Sequence, residues 1–289
     1  MGEIWRGFLD LIFGILYFVY SFVGDWGLSI IVVTILFRIL IWPLMVKQVR
    51  SMRSMQKIQP LIKEVQKKYA DDKEKQSQEM MRLYQEHKVN PMAGCLPMLL
   101  PMPLFIGFFA VLMMPRINDE GIVELAVAWY GKSPLLEHLG YVIGAPIESL
   151  DVGTASFFNI LPNLMVTPGM MWEVGPAAAA PYIILLILSS VGIILPSFMT
   201  QRGIESSPQA TQQKFIIYSM AIFMAFIGWG FFPGGVLLYM TTTSLFAAGQ
   251  QYFVQRQMDR EEESAAEEAR AEKKNKKKKN KNADANKKK

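Results

Sequence analysis

Arg38 lies inside an otherwise uninterrupted apolar run, Leu28 to Val46, LSIIVVTILFRILIWPLMV. As a helix at about 1.5 Å per residue, such a run reaches roughly 28 Å, the thickness of a bilayer's hydrocarbon core. A guanidinium at that depth costs at least about 2.5–3.5 kcal/mol and cannot shed its proton. Its position therefore implies a protein-lined, watered cavity, where a fixed cation can hold an anionic or polar group. Thr34, Arg38 and Trp42 recur every four residues and share one helical face. In the last apolar run Tyr239, Thr242, Thr243 and Gln250 share another. Ser189, Ser190 and Ser197 mark a third run, and Tyr218 and Ser219 a fourth. Together they outline a hydrophilic groove centred on Arg38, with Thr34, Tyr239, Thr242 and Thr243 as its wall. Serine and threonine in apolar helices also bond to their own backbone or to a neighbouring helix. Trp42 equally suits an interfacial anchor.

Other site chemistry is thin. The single Cys95 excludes an intrachain disulfide and a cysteine-built metal site, and His87 and His138 lie in separate polar segments. GxSxG, HExxH, GxxxxGK[ST] and the dinucleotide-binding glycine pattern are all missing. The expectation is a protein that is not an enzyme, with no metal and no cofactor.

The elements that must position the groove follow from hydropathy. Hydrophobic residues make up 51% of the chain and are clustered, as in a membrane protein. Five segments read as spanning helices: 28–46, 95–114, 178–199, 214–231 and 234–253. None of them holds an Asp or Glu, so Arg38 has no acidic partner within the spans. Such a charge is open to an acidic flank carried by a passing nascent segment, and lipid burial of that segment supplies the driving force. Pro97, Pro101 and Pro103 predict a kinked or partly unwound second span. The link Phe232-Pro233-Gly234 makes the last two spans a tight hairpin.

Basic residues set the orientation. Loop 47–94 carries 11 Lys and Arg, whereas loop 115–177 has only Arg116 and Lys132 beside seven acids. Loop 47–94, the short loop 200–213 and the C-terminal stretch are thus cytoplasmic, and residues 1–27 and loop 115–177 lie outside. Phe8–Val23, apolar but short and interrupted by Asp10, reads as an interfacial helix, with an uncleaved anchor as the alternative. Loop 47–94 is expected to be an antiparallel helical hairpin. One arm has Ile58, Leu61, Ile62, Val65 and Tyr69 at helical spacing, the other Met80, Leu83, Tyr84 and His87. The turn falls at Ala70-Asp71-Asp72, Asp71 and Glu74 are spaced as a capping box, and Asn90-Pro91 ends the second arm. Loop 115–177 shows no clear fold. The tail 254–289 carries 13 Lys and Arg against 8 Asp and Glu and is expected to be disordered. Its lysines, Lys276, Lys277, Lys278 and Lys279 among them, would attract lipid or RNA phosphates without reading bases.

In these residues the chain resembles the YidC/Oxa/Alb family of membrane protein insertases, in its five-helix bacterial form. The blocks WGLSIIVVTILFRILIWPL, KQVRSMRSMQKIQPLIKEVQKKYADDKEKQSQEMMRLYQEHKVNPMAGCLPMLL and FFPGGVLLYMTTTSLFAAGQQYFVQRQ carry the resemblance over most of residues 26–256. It implies an all-α polytopic bacterial cell-membrane protein, with a groove open to cytoplasm and lipid where substrate segments slide beside Arg38. It also implies a hairpin that receives substrates or partners, a basic tail that helps hold the ribosome, and cooperation with the Sec translocon. Pro101 stands where relatives often carry Gln, and Met240 where an aromatic commonly follows Tyr239. The large periplasmic domain of Gram-negative members is not expected, and the compact N-terminus fits a Gram-positive or similarly short type. The alternative reading is a small-anion channel or transporter using Arg38 as its binding charge. Five unequal spans with one long hairpin lack the inverted repeats usual in transporters. A purely structural subunit would leave Arg38 unexplained.

Overall fold

The computed structural model describes residues 2–87, 89, 102–112, 115–117, 123–125, 135, 138, 155–200 and 208–286. Its contacts divide the chain into two compact units, Met1–Ala248 and Gly249–Lys289. Among the described residues the elements are helical, apart from one antiparallel ribbon of β1 (Pro115–Ile117) and β2 (Val123–Leu125) that pairs Arg116 with Glu124.

Helix α1 (Gly2–Val23) ends at Gly24, whose φ of 70° supplies the left-handed turn, and α2 (Trp26–Leu40) begins one residue after Asp25. Asp25 caps α2, its Oδ1 accepting from the Leu28 amide at 2.8 Å. The stretches Gly7–Val23 and Trp26–Leu40 meet at a bend of 119°. Leu9, Ile12 and Leu16 bury one stripe of α1 in the core, while Leu11, Ile15, Phe18 and Phe22 leave an apolar stripe exposed.

The expected span 28–46 is not one helix. It breaks at Ile41, and α3 (Trp42–Lys68) starts immediately beyond. Pro43, near the start of α3, has no amide to continue the ladder, and its ring crowds the carbonyl four residues back. Helix α3 therefore supplies both the end of the apolar run and the first arm of the hairpin, and α4 (Lys73–Glu86) is the second arm. The arms meet through Ile58, Ile62 and Val89, with Met55, Met80, Leu83 and Tyr84 packed around them. Asp72 rather than Asp71 caps α4, its Oδ1 accepting from Lys75 N at 3.0 Å. His87, expected on the packed face, is exposed at the end of the arm.

Helix α5 (Met102–Val111) is the described part of the second apolar run, with Pro103 in its first turn, where a missing amide costs nothing. Cys95, Pro97 and Pro101, with the rest of 95–101 and the Asn90-Pro91 stop, lie outside the described residues. Helix α6 (Pro168–Val174) precedes α7 (Pro176–Thr200), and α8 (Pro208–Phe231) leads through Phe232-Pro233 into α9 (Gly234–Asn286). Within α7, the 20-residue stretch Pro176–Leu195 is long and apolar enough to cross a bilayer, with a mean hydropathy of 2.4 over 18 of its residues. The bent pair from α1 and α2 passes the same test when taken together, and Met102–Val111 and Phe215–Phe231 are shorter apolar stretches.

Loop 115–177 is not featureless in its described part. Residues 155–167 form a strap between helix starts. Phe158 N donates to Asp25 Oδ2 at 2.7 Å, and Gly27 N donates to Ser156 O at 3.1 Å. A side chain at Gly27 would collide with Phe157. Farther on, Gly234 N donates to Val166 O and Gly235 N to Leu164 O, each at 2.8 Å. Tyr182 of α7 joins the same strap, its hydroxyl donating to Asn163 O at 2.8 Å. These ties surround the core of Ile30, Phe108, Leu112, Leu161, Leu164, Tyr182, Val236 and Leu237.

The tail expected to be disordered continues α9 as helix to Asn286. From Asp259 it is rich in Ala, Glu, Arg and Lys, strong helix formers. Gln257 Nε2 also donates to Glu261 Oε1 at 3.1 Å across one turn.

Candidate functional site

Helix periodicity puts Thr34 and Arg38 on the inward face of α2 with Ile30 and Val33, while Leu36, Ile39 and Leu40 face out. Arg38 is only 5% exposed, so the charge points into protein and the apolar side of α2 takes the outer surface. Among the described residues no carboxylate pairs with it. The guanidinium instead interacts with the Tyr239 phenol of α9. Tyr239 is itself buried. Phe108 and Phe105 of α5 lie 5.2 and 6.3 Å from it, centroid to centroid, and hold its ring. Thr243, one turn on, interacts with the same phenol, but its Oγ1 is buried without a hydrogen bond of good geometry.

The other two threonines differ. Thr34 Oγ1 donates to Ile30 O at 2.6 Å, and Thr242 Oγ1 to Leu238 O at 2.8 Å. Their hydroxyls are occupied by their own helices and offer no free donor. Ser189 and Ser190 likewise both donate to Leu186 O. The side chain of Ser197 lies outside the described residues. Trp42 packs edge-on against Phe246 of α9, at 6.0 Å and 87°. The structure thus brings together Arg38, Tyr239 and Thr243, flanked by Thr34 and Thr242. The side chains of Lys276, Lys277, Lys278 and Lys279 lie outside the described residues.

Two polar residues escape the sequence reading. Gln48 of α3 is 3% exposed, and both its amide atoms are buried without a hydrogen bond. By sequence it falls in the basic loop 47–94, yet the spacing Trp42, Met45, Gln48 or Val49 continues one face of α3 past residue 46. Thr241 Oγ1 donates to Leu185 O at 3.3 Å and ties α9 to α7. Close approach of the same two helices needs Gly192, where a side chain would collide with Ser244.

This site can hold a carboxylate or a peptide carbonyl. Arg38 supplies a fixed planar donor, Tyr239 and Thr243 supply hydroxyls, and low local polarity strengthens each contact. Among the described residues no group of three or more His, Cys, Asp or Glu is arranged to hold a metal ion.

The pattern of the family described as 60Kd inner membrane protein matches residues 18–262. The membrane protein insertase YidC of Haemophilus ducreyi is 30% identical over 249 residues, 86% of this chain and 37% of that protein. The YidC of Haemophilus influenzae is 31% identical over the same length and coverage. The chain thus spans about 37% of the length of these relatives. The crystal structure titled "Active YidC insertase crystal structure with the first transmembrane domain resolved" is similar at a TM-score of 0.50 and 22% identity. It covers 86% of this chain and 46% of that one, a likeness of fold. The chain belongs to the 60Kd inner membrane protein family, that of the YidC insertases.

Proposed function

We propose that this chain is a membrane protein insertase and chaperone of the bacterial cell membrane. It spans the bilayer five times, with its N-terminus outside and its hairpin and tail in the cytoplasm. Nascent segments enter the groove from the cytoplasm and lipid sides. Arg38 pairs transiently with an acidic flank, Tyr239 and Thr243 offer hydroxyls to the polar backbone, and Thr34 and Thr242 shape the wall. Burial of the segment's apolar side chains in lipid drives the step, so no bond is made or broken. The observation that carries this reading is the deep burial of Arg38 without a carboxylate partner among the described residues. A permanent structural ion pair would have brought its own acid.

The 119° bend and the exposed apolar stripe of α1 support a helix lying on the outer interface. The basic block containing Lys276 to Lys279 is the proposed contact with the ribosome, and cooperation with the Sec translocon is proposed by analogy with the family.

The test is a Sec-free liposome insertion assay. Arg38→Ala is expected to impair substrates with acidic translocated flanks far more than those with neutral flanks. Full insertion of acid-flanked substrates by Arg38→Ala would count against the groove. The same vesicles read for small-anion flux separate insertase from transporter.

A further inference from the structure

We propose that α6 and the turn at 157–161 form a lipid-binding collar, seated in the headgroup region of the outer leaflet and taking a phospholipid acyl chain beside α8. The proposal rests on the orientation that places loop 115–177 outside.

Geometry supplies the depth. Helix α6 is joined to α7 by Gly175 alone, at φ 153° and ψ 157°, and the bilayer-crossing stretch begins at Pro176. One extended residue spans at most about 3.6 Å, so the last turn of α6 sits at the very end of the hydrocarbon core. At that level an aqueous loop would turn polar side chains outward. Here the outward set is dominated by Met170, Trp172 and Val174 on α6 and by Phe158 and Ile160 on the turn, with Asn159 the polar side chain exposed between the last two. Val174 is 74% exposed, and Phe158 and Ile160 are each 58% exposed. Glu173, also exposed, is the one charge among the outward side chains of α6. An apolar set rimmed by a single charge suits a surface that meets lipid headgroups and the upper acyl chains.

Continuity names the occupant. The Trp172 ring stands 5.9 Å from Trp229 of α8. Gly169 permits this approach, since a side chain there would come within 2.9 Å of the Trp229 carbonyl. Trp229 also lines an apolar groove of about 520 Å³ with Phe226, Ile227, Gly230 and Phe231. That groove runs on into the exposed apolar face of α8, Phe215, Ile222, Phe223 and Phe226, the surface that lipid covers if α8 crosses the bilayer. Paired tryptophans where an apolar groove ends are the side chains that settle at a membrane interface. The apolar exposure is also fixed in place. Phe158 N is held by Asp25, and Val166 O is held by Gly234 N.

The test uses a Cys95→Ser chain with a single cysteine at Ile160 or Val174, labelled with nitrobenzoxadiazole. It is reconstituted in phosphatidylethanolamine–phosphatidylglycerol vesicles whose lipids are brominated near the headgroup or near the chain end. The expected result is at least twofold quenching by shallow bromines, weaker quenching by deep ones, and little quenching by aqueous iodide. Iodide quenching without bromolipid quenching makes the collar water-exposed and overturns the proposal. Protection from both means that a protein or a second copy covers it, which also overturns the proposal. Lipid quenching on the tail's side of the membrane overturns the outer-leaflet assignment together with the orientation. If Cys95→Ser does not fold, the emission difference between the unaltered chain and Trp172→Phe gives the same bromolipid readout. Quenching reads lipid contact whether or not the chain inserts substrates, so failure of the insertion assay leaves this result standing.

Discussion

Replacing Arg38 with methionine should make the protein more stable and less active. On insertion scales an arginine at mid-helix costs about 2.5–3.5 kcal/mol, whereas an apolar side chain gains about 0.3–0.6 kcal/mol. Were Arg38 in hydrocarbon, Arg38→Met would therefore gain about 3–4 kcal/mol. It is not: the guanidinium is buried in protein, where its electrostatic interaction with the Tyr239 phenol offsets part of that gain and leaves a net stabilisation of roughly 1–2 kcal/mol. Methionine is long and adaptable enough to fill the space, and no partner carboxylate is left orphaned. Stability is read by reversible unfolding in bicelles with increasing dodecyl sulfate, activity by insertion of an acid-flanked segment into liposomes. Activity should fall about tenfold, while Arg38→Lys, which keeps the charge but loses the planar fork, retains part of it. The reasoning is refuted if Arg38→Met is destabilised by 2 kcal/mol or more and its activity merely follows the fraction folded. Arg38 would then be a structural ion.

Asp25→Ala removes the α2 cap, typically about 1 kcal/mol, and the anionic acceptor of the Phe158 amide. The expected loss is about 2–3 kcal/mol, with faster hydrogen exchange at Phe158, and Asp25→Ser should recover the cap's share alone. Thr34→Val and Thr242→Val should change unfolding by less than about 0.5 kcal/mol and leave insertion intact, because each hydroxyl bonds its own helix. Thr243→Val should lower insertion of acid-flanked segments at similar stability, and equal activity of all three variants would remove Thr243 from the groove. A chain ending at Gln257 should lose salt-sensitive ribosome co-sedimentation, and unchanged binding would remove the tail from that role.

What was legible in the sequence was whatever violates a local rule. Arg38 in an apolar run is such a violation, and so is Pro43, whose consequence, a helix break at Ile41, could have been read from the missing amide. Threonines obey the rules in either role, so spacing placed Thr34, Thr242 and Thr243 together but could not separate occupied hydroxyls from the orphan. The hairpin cap shows the limit of resolution. Asp71 and Asp72 are the same residue type one step apart, and only the closing geometry chooses Asp72. The strap at 155–167 left almost no mark, because its ties use backbone groups that pair with any residue type, over separations as long as the 133 residues between the Phe158 amide and the Asp25 carboxylate. Gln48 is not legible because the basic Lys47 marks the end of the apolar run, whereas burial continues along the same face of α3.

That strap bears on how a groove can open in a packed protein. It grips Asp25 and Gly27 at the start of α2, Tyr182 in the second turn of α7, and Gly234 and Gly235 at the start of α9. All three helices are thus fixed near their N-terminal ends by one segment. Arg38 lies twelve residues beyond Trp26, about 18 Å along α2. It sits close to the break at Ile41, past the reach of the strap. A cation near the clamp would be locked among rigid backbone groups and could not exchange its neighbours. At the other end, the break between α2 and α3 and a Thr243 hydroxyl without a hydrogen bond of good geometry leave contacts that, under the proposed function, a bound segment would replace. The strap and the buried charge thus act at opposite ends of α2: a fixed end that keeps the helices in register, and an end where, under the proposed function, a substrate segment would compete for the contacts of Arg38.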